Sequence, residues 1–88
     1  MPNIIVGSLE SSDCMITLKA HKDLKIDIES IVFDAFGKQI EKVIKRQLKK
    51  HNISNIYVLC QDKGALDYTI EARLETAILR FKEATNES

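Results

Sequence analysis

The sequence predicts an α+β fold: a two-layer sandwich in which two amphipathic helices lie on one face of a small, mainly antiparallel four-stranded sheet. Three observations carry that prediction. Short segments alternate apolar and polar residues, longer segments repeat apolar residues at spacings of three and four, and the elements follow one another as β-β-β-α-β-α.

Ile4 to Leu9 reads as the first strand and Cys14 to Leu18 as the second. Between them, Gly7-Ser8-Leu9-Glu10-Ser11-Ser12-Asp13 has the composition of an exposed turn joining two strands. Cys14, Ile16 and Leu18 give the second strand one apolar face. His21, Lys22 and Asp23 form a polar connection to Leu24–Glu29, whose strict alternation fits a sheet wet on one side.

Ser30 is placed to cap a helix, its hydroxyl accepting from a free backbone amide. Phe33, Phe36, Ile40, Val43, Ile44 and Leu48 then draw one apolar stripe. Gly37 weakens this helix by about 1 kcal/mol relative to alanine and marks a bend or close packing. His51-Asn52 ends it, with asparagine in a left-handed C-cap. Ile56 to Cys60, apolar on both faces, is expected inside the sheet.

Gln61 to Gly64 forms a turn, and a second helix begins near Ala65 with the stripe Leu66, Ile70, Leu74, Ala77, Ile78 and Phe81. Glu71, Glu75, Arg73 and Arg80 take its exposed side. Asp62 and Asp67 flank its start, where carboxylates cap amides and complement the helix dipole. Residues 1–83 read as a single domain and 84–88 as a polar, frayed tail.

The 88 residues suffice for one modest core. No apolar run approaches a membrane span, and no basic region precedes the first apolar residues as a secretory signal requires. Cys14 and Cys60 lie far apart in no metal-ligand spacing, which fits two buried thiols in the reducing cytoplasm. The 13 basic and 13 acidic residues balance, which argues against a dedicated nucleic-acid binder. The basic run Lys45–His51 complements the negative end of the first helix.

No phosphate-binding glycine loop, nucleophile elbow or metal cluster is present in the sequence. His21 and His51 sit in polar contexts, expected to be exposed and without the partner a general base needs. Ser11, Ser12 and Asp13 could be turn formers and nothing more. An RNA-binding or interaction module is the alternative of a different class. It would need aromatic platforms on the wet sheet face, and only Tyr57 qualifies among the predicted strands.

Two motifs add a more specific reading. Gly7-Ser8-Leu9-Glu10-Ser11-Ser12-Asp13, followed by Cys14-Met15-Ile16, resembles the amino-terminal signature of the citrate lyase acyl carrier protein, the gamma subunit. Asp62-Lys63-Gly64-Ala65-Leu66-Asp67, followed by Glu71-Ala72-Arg73-Leu74-Glu75, resembles that family's second signature. The resemblance covers essentially the whole chain, with Ser8 where threonine is common, Cys14 where an aliphatic residue is more usual, and Gln61 for a frequent acid.

The resemblance implies a non-catalytic acyl carrier domain. Ser11 would carry a 2'-(5''-phosphoribosyl)-3'-dephospho-CoA prosthetic group through a phosphodiester, with Ser12 the competing position because the family tolerates serine or glycine there. It further implies a prosthetic-group transferase (the holo-carrier synthase), an acetylating ligase, and the alpha and beta subunits of the lyase as partners. Alpha would exchange acetyl for citryl on the carrier, and beta would cleave the citryl thioester to oxaloacetate. No nucleic-acid or membrane partner is expected. Citramalate lyase uses the same type of carrier and remains open, whereas the signature of the malonate decarboxylase carrier is not found. On this reading Glu10 and Asp13 flank the phosphodiester, and their charge would keep the arm's phosphates off the domain.

Overall fold

The computed structural model describes residues 3–85. The elements are β1 (Ile4–Gly7), β2 (Cys14–Ala20), β3 (Lys25–Ser30), α1 (Phe33–Lys50), β4 (Ile56–Asp62) and α2 (Asp67–Ala84), in the expected order. β1 is shorter than the apolar pattern suggested, because Gly7 turns the chain out of the ladder. Helix α2 runs through Ala84, the first residue assigned to the tail, and ends at Thr85. Residues 86–88 lie outside the described residues.

The strands lie in the order β1-β2-β4-β3. β1 and β4 both pair antiparallel with β2, while β3 pairs parallel with β4. The sheet is therefore mixed. The parallel pair follows from β3-α1-β4 being a strand–helix–strand crossover, since a helix between two adjacent strands returns the chain in the same direction. β4 is interior, as its apolar character predicted.

Both helices cover one face. Val6, Cys14, Ile16, Leu18, Ile56, Val58 and Cys60 from the sheet meet Ile40, Val43, Ile44, Leu48, Ile70, Leu74, Ala77, Ile78 and Phe81 from the helices. Fully burying each of the larger side chains contributes about 1.5–3 kcal/mol, which makes this cluster the main stabilising element. Cys14 and Cys60 are free and fully buried. The hydrogen bond with Cys14 and burial push the Cys60 thiol up, so it behaves as a small hydrophobe.

The stripes overreach at the first turns of both helices. Phe33, Phe36 and the N-cap residue Leu66 are 51%, 55% and 60% exposed, outside the cluster that the later turns of both helices form with the sheet. Ser30 ends β3 and is not the N-cap, which is Val32. Its hydroxyl accepts from the Val32 N–H at 3.1 Å and donates to Asp62. Gly37 is buried because Phe33 folds over it; an added Cβ would stand 2.7 Å from the ring. The carboxyl end of α1 is the predicted left-handed cap: Asn52 has φ 56°, and the Asn52 and Ile53 N–H groups donate to the Lys49 and Leu48 carbonyls in a Schellman motif.

Candidate functional site

The C-terminal ends of β1, β3 and β4 point to one edge of the molecule, so three connections gather there. The β1–β2 connection holds Ser8, Ser11 and Ser12. Gly7 opens it with φ 105°, and a Cβ there would come within 2.0 Å of the Cys14 carbonyl oxygen, so only glycine fits. The Ser8 N–H donates to that same carbonyl at 3.2 Å.

The tip is a four-residue turn, Glu10 to Asp13, closed by the Asp13 N–H donating to the Glu10 carbonyl at 3.1 Å. Ser12 takes the third position with φ 67°, a left-handed conformation that glycine adopts without strain. Two main-chain bonds fasten the turn to the β4–α2 connection. The Ser12 N–H donates to the Lys63 carbonyl at 2.8 Å, and the Lys63 N–H donates to the Asp13 carbonyl at 2.9 Å.

Asp13 organises the side chains. Its carboxylate accepts from Arg73 Nε at 3.0 Å and Nη2 at 2.9 Å, from the Ser8 hydroxyl at 2.7 Å and from the Cys14 N–H at 2.7 Å. The Arg73 fork, with help from Ser8 and Cys14, lowers the Asp13 pKa to about 2. Asp13 is thus paired, and the expected pair of free charges beside Ser11 is corrected to one, Glu10. Arg73, read from its helix position as solvent-facing, is the partner that sequence reasoning missed.

A second carboxylate supports the same edge from below. Asp62 is buried, lying in the ladder between Cys14 and Ser30. It accepts from the Ser30 hydroxyl at 2.8 Å and from the Ala65 N–H at 2.9 Å, which shapes the turn before α2; Ala65 precedes the N-cap Leu66, so the predicted capping of helix amides is corrected to a bond within the turn. Asp67 sits in the first helical turn and accepts from Gln39 Nε2 at 2.7 Å.

The three serines differ. The Ser8 hydroxyl is committed to Asp13 and accepts from the Glu10 N–H at 3.3 Å. Ser11 and Ser12 are exposed, and neither hydroxyl has a hydrogen-bond partner among the described residues. The histidines lie far from the turn and are half-buried, not exposed as predicted; His21 bonds locally with Asp23, and His51 packs against α2 near Glu75. Among the described residues no His, Cys, Asp and Glu side chains cluster to hold a metal, and no helix is long and apolar enough to cross a membrane.

On the outer face of the sheet, Tyr57 donates to Asp27 at 2.8 Å and stands between Lys19 and Lys25, the one aromatic strand residue there. That face offers no row of stacking platforms.

Comparison with known proteins adds the relatives. Citrate lyase acyl carrier proteins match along nearly the whole chain. That of Halothermothrix orenii is 43% identical over 92% of this chain and 87% of its own length. That of Lactobacillus acidophilus is 48% identical over 90% and 82%, and that of Treponema denticola 39% over 90% and 91%. The sequence profile described as acyl carrier protein, malonate decarboxylase delta subunit, matches residues 2–81. The expectation that this second carrier's signature is absent is therefore corrected. Among solved structures, the ribonuclease P protein of Staphylococcus aureus superposes with a TM-score of 0.53 over 89% of this chain and 82% of its own; at 13% identity the likeness is one of fold.

Proposed function

The chain belongs to the family of citrate lyase acyl carrier proteins, and we propose that Ser11 is the residue through which it carries its acyl group. As a carrier it is a non-catalytic subunit of the lyase. The observation that carries the assignment is the state of the three hydroxyls. Ser8 is consumed in holding the loop, whereas Ser11 and Ser12 both stand at the tip with unengaged oxygens; between these two, the place of Ser11 directly after Leu9-Glu10 in the motif favours it.

These residues fit a covalently attached group. A hydroxyl on an exposed turn needs no pocket and leaves a long substituent free to swing outward. The group proposed is 2'-(5''-phosphoribosyl)-3'-dephospho-CoA, joined by a phosphodiester. When bound it supplies a thiol that bears the acyl group at the end of a flexible arm, which raises the local acyl concentration at a partner's active site.

In loading, the Ser11 Oγ attacks phosphorus of a phosphate-activated donor. The proton passes to a base of the transferase, and a phosphate-class leaving group departs with the electrons of the broken P–O bond. The chain's part is to hold the oxygen accessible and the turn still. The reading brings with it the partners named for the resemblance: the transferase, the acetylating ligase and the alpha and beta subunits, all in the cytoplasm, with residues 1–83 as the carrier domain.

Intact-mass measurement of the chain purified from its native host, with peptide mapping of the segment from Gly7 to Lys19, tests the assignment. A single added mass on Ser11, lost in Ser11→Ala and kept in Ser8→Ala and Ser12→Ala, is the expected result. An unmodified chain in a fully active citrate lyase, or a label on Ser12, overturns it.

A further inference from the structure

We propose that Arg73 is a positioning residue for the loading of Ser11, acting through Asp13; the inference rests on Ser11 being the attachment point. The two signature motifs lie 60 positions apart at Asp13 and Arg73, and the structure joins them by two parallel N–H···O bonds. Arg73 sits on α2, a rigid helix whose inner face belongs to the core. Asp13 closes the turn that has Ser11 as its second residue. The guanidinium therefore ties the tip to a helix anchored in the core.

The pair also has an electrostatic consequence. The activated donor is a polyanion, and Asp13 stands two residues from the oxygen that must attack it. An uncompensated carboxylate there would oppose its approach. Arg73 removes that opposition while leaving Asp13 to hold Ser8 and the Cys14 N–H. The Arg73 side chain is 41% exposed, and pairs so placed contribute little to overall stability. Its expected effect is therefore on presentation of Ser11 more than on folding.

Purified apo chain, the transferase and the phosphate-activated donor give the loading rate by intact mass. Arg73→Gln is expected to lower kcat/KM for loading by about tenfold or more, with part of the loss as a raised KM for the donor and part as a reduced kcat. Asp13→Asn combined with Arg73→Gln removes both charges; it should restore the donor KM but not kcat. Arg73→Lys, which keeps the charge and loses the fork, should fall between wild type and Arg73→Gln. Amide exchange at Ser12 and Lys63 should quicken in Arg73→Gln while the melting transition moves little. If Arg73→Gln fails to fold, Arg73→Lys carries the test by the same KM-against-kcat split.

The inference is overturned if folded Arg73→Gln loads like wild type, or if its loss matches only its unfolded fraction. Ser11→Ala separates the two layers. If that variant blocks loading and Arg73→Gln does not, only the positioning role fails; if Ser11→Ala still loads, the attachment reading falls first and the positioning role with it.

Discussion

The two ends of the sheet are built on different principles. At the end bearing Ser11, two carboxylates tie the connections together through partners distant in sequence: Arg73, 60 positions from Asp13, and Ser30, 32 positions from Asp62. At the opposite end, contacts are mostly between neighbours or main-chain atoms. The His21 ring bonds to Asp23 two residues on, α1 closes with its own Schellman motif, and the His21 N–H reaches the Asn55 carbonyl at 3.4 Å. Longer-range contacts add to these: Lys82 donates to the His51 carbonyl, the Tyr57 hydroxyl donates to Asp27, and Lys50 lies 3.7 Å from Glu75. A carboxylate accepts several hydrogen bonds at once, so it can lock separate loops in one geometry. The end where the attachment serine is proposed is the one where Asp13 and Asp62 each gather bonds from separate segments.

The largest effect should come from Asp62. Asp62→Ala leaves the half-buried Ser30 hydroxyl and Ala65 N–H without their acceptor, at a cost of about 1–3 kcal/mol. Urea unfolding measures it directly. A loss below about 0.5 kcal/mol, the scale of ordinary surface substitutions, would remove the distinction between the two ends.

Acid titration sharpens the comparison from the side of Asp13. Its folded pKa is depressed to about 2 by the Arg73 pair and its other donors, against about 3.9 in an unfolded chain. A depressed carboxylate contributes stability that is complete above the unfolded value and is lost as pH falls through the folded one. The turn should therefore hold at pH 4, weaken below it and release near 2. The Asp13 carboxyl carbon signal reports this, and Arg73→Gln should move its midpoint upward. A wild-type midpoint near 4 would mean that the fork does not persist in solution.

The same contrast explains what could be read from residues alone. Alternation in Lys25–Ser30 and the stripe from Ile40 to Leu48 gave the elements and the core, because burial imprints a period on sequence. The stripe failed at Phe33, Phe36 and Leu66, since periodicity says which side of a helix is apolar but not how much of that side the rest of the fold covers. The parallel β3–β4 pair was available from the strand–helix–strand order. The Asp13–Arg73 bond was not, because nothing local marks a pair 60 residues apart. The proposal of Ser11 came only from its surrounding motif, its neighbours being ordinary turn residues.

The smallest effect is expected at the opposite end, at His51. Its Nε2 is buried with no hydrogen-bond partner among the described residues, the Glu75 carboxylate oxygen standing 3.7 Å away. An unsatisfied buried nitrogen is a cost that an apolar side chain of similar size does not carry. His51→Leu should therefore be neutral or stabilising by up to about 1 kcal/mol, while keeping the main-chain acceptor that Lys82 uses. Because His51 touches neither the turn nor its anchors, loading of Ser11 should be unchanged. A stability loss approaching that of Asp62→Ala would show instead that the Glu75 contact closes in solution and that the packing of this end depends on it.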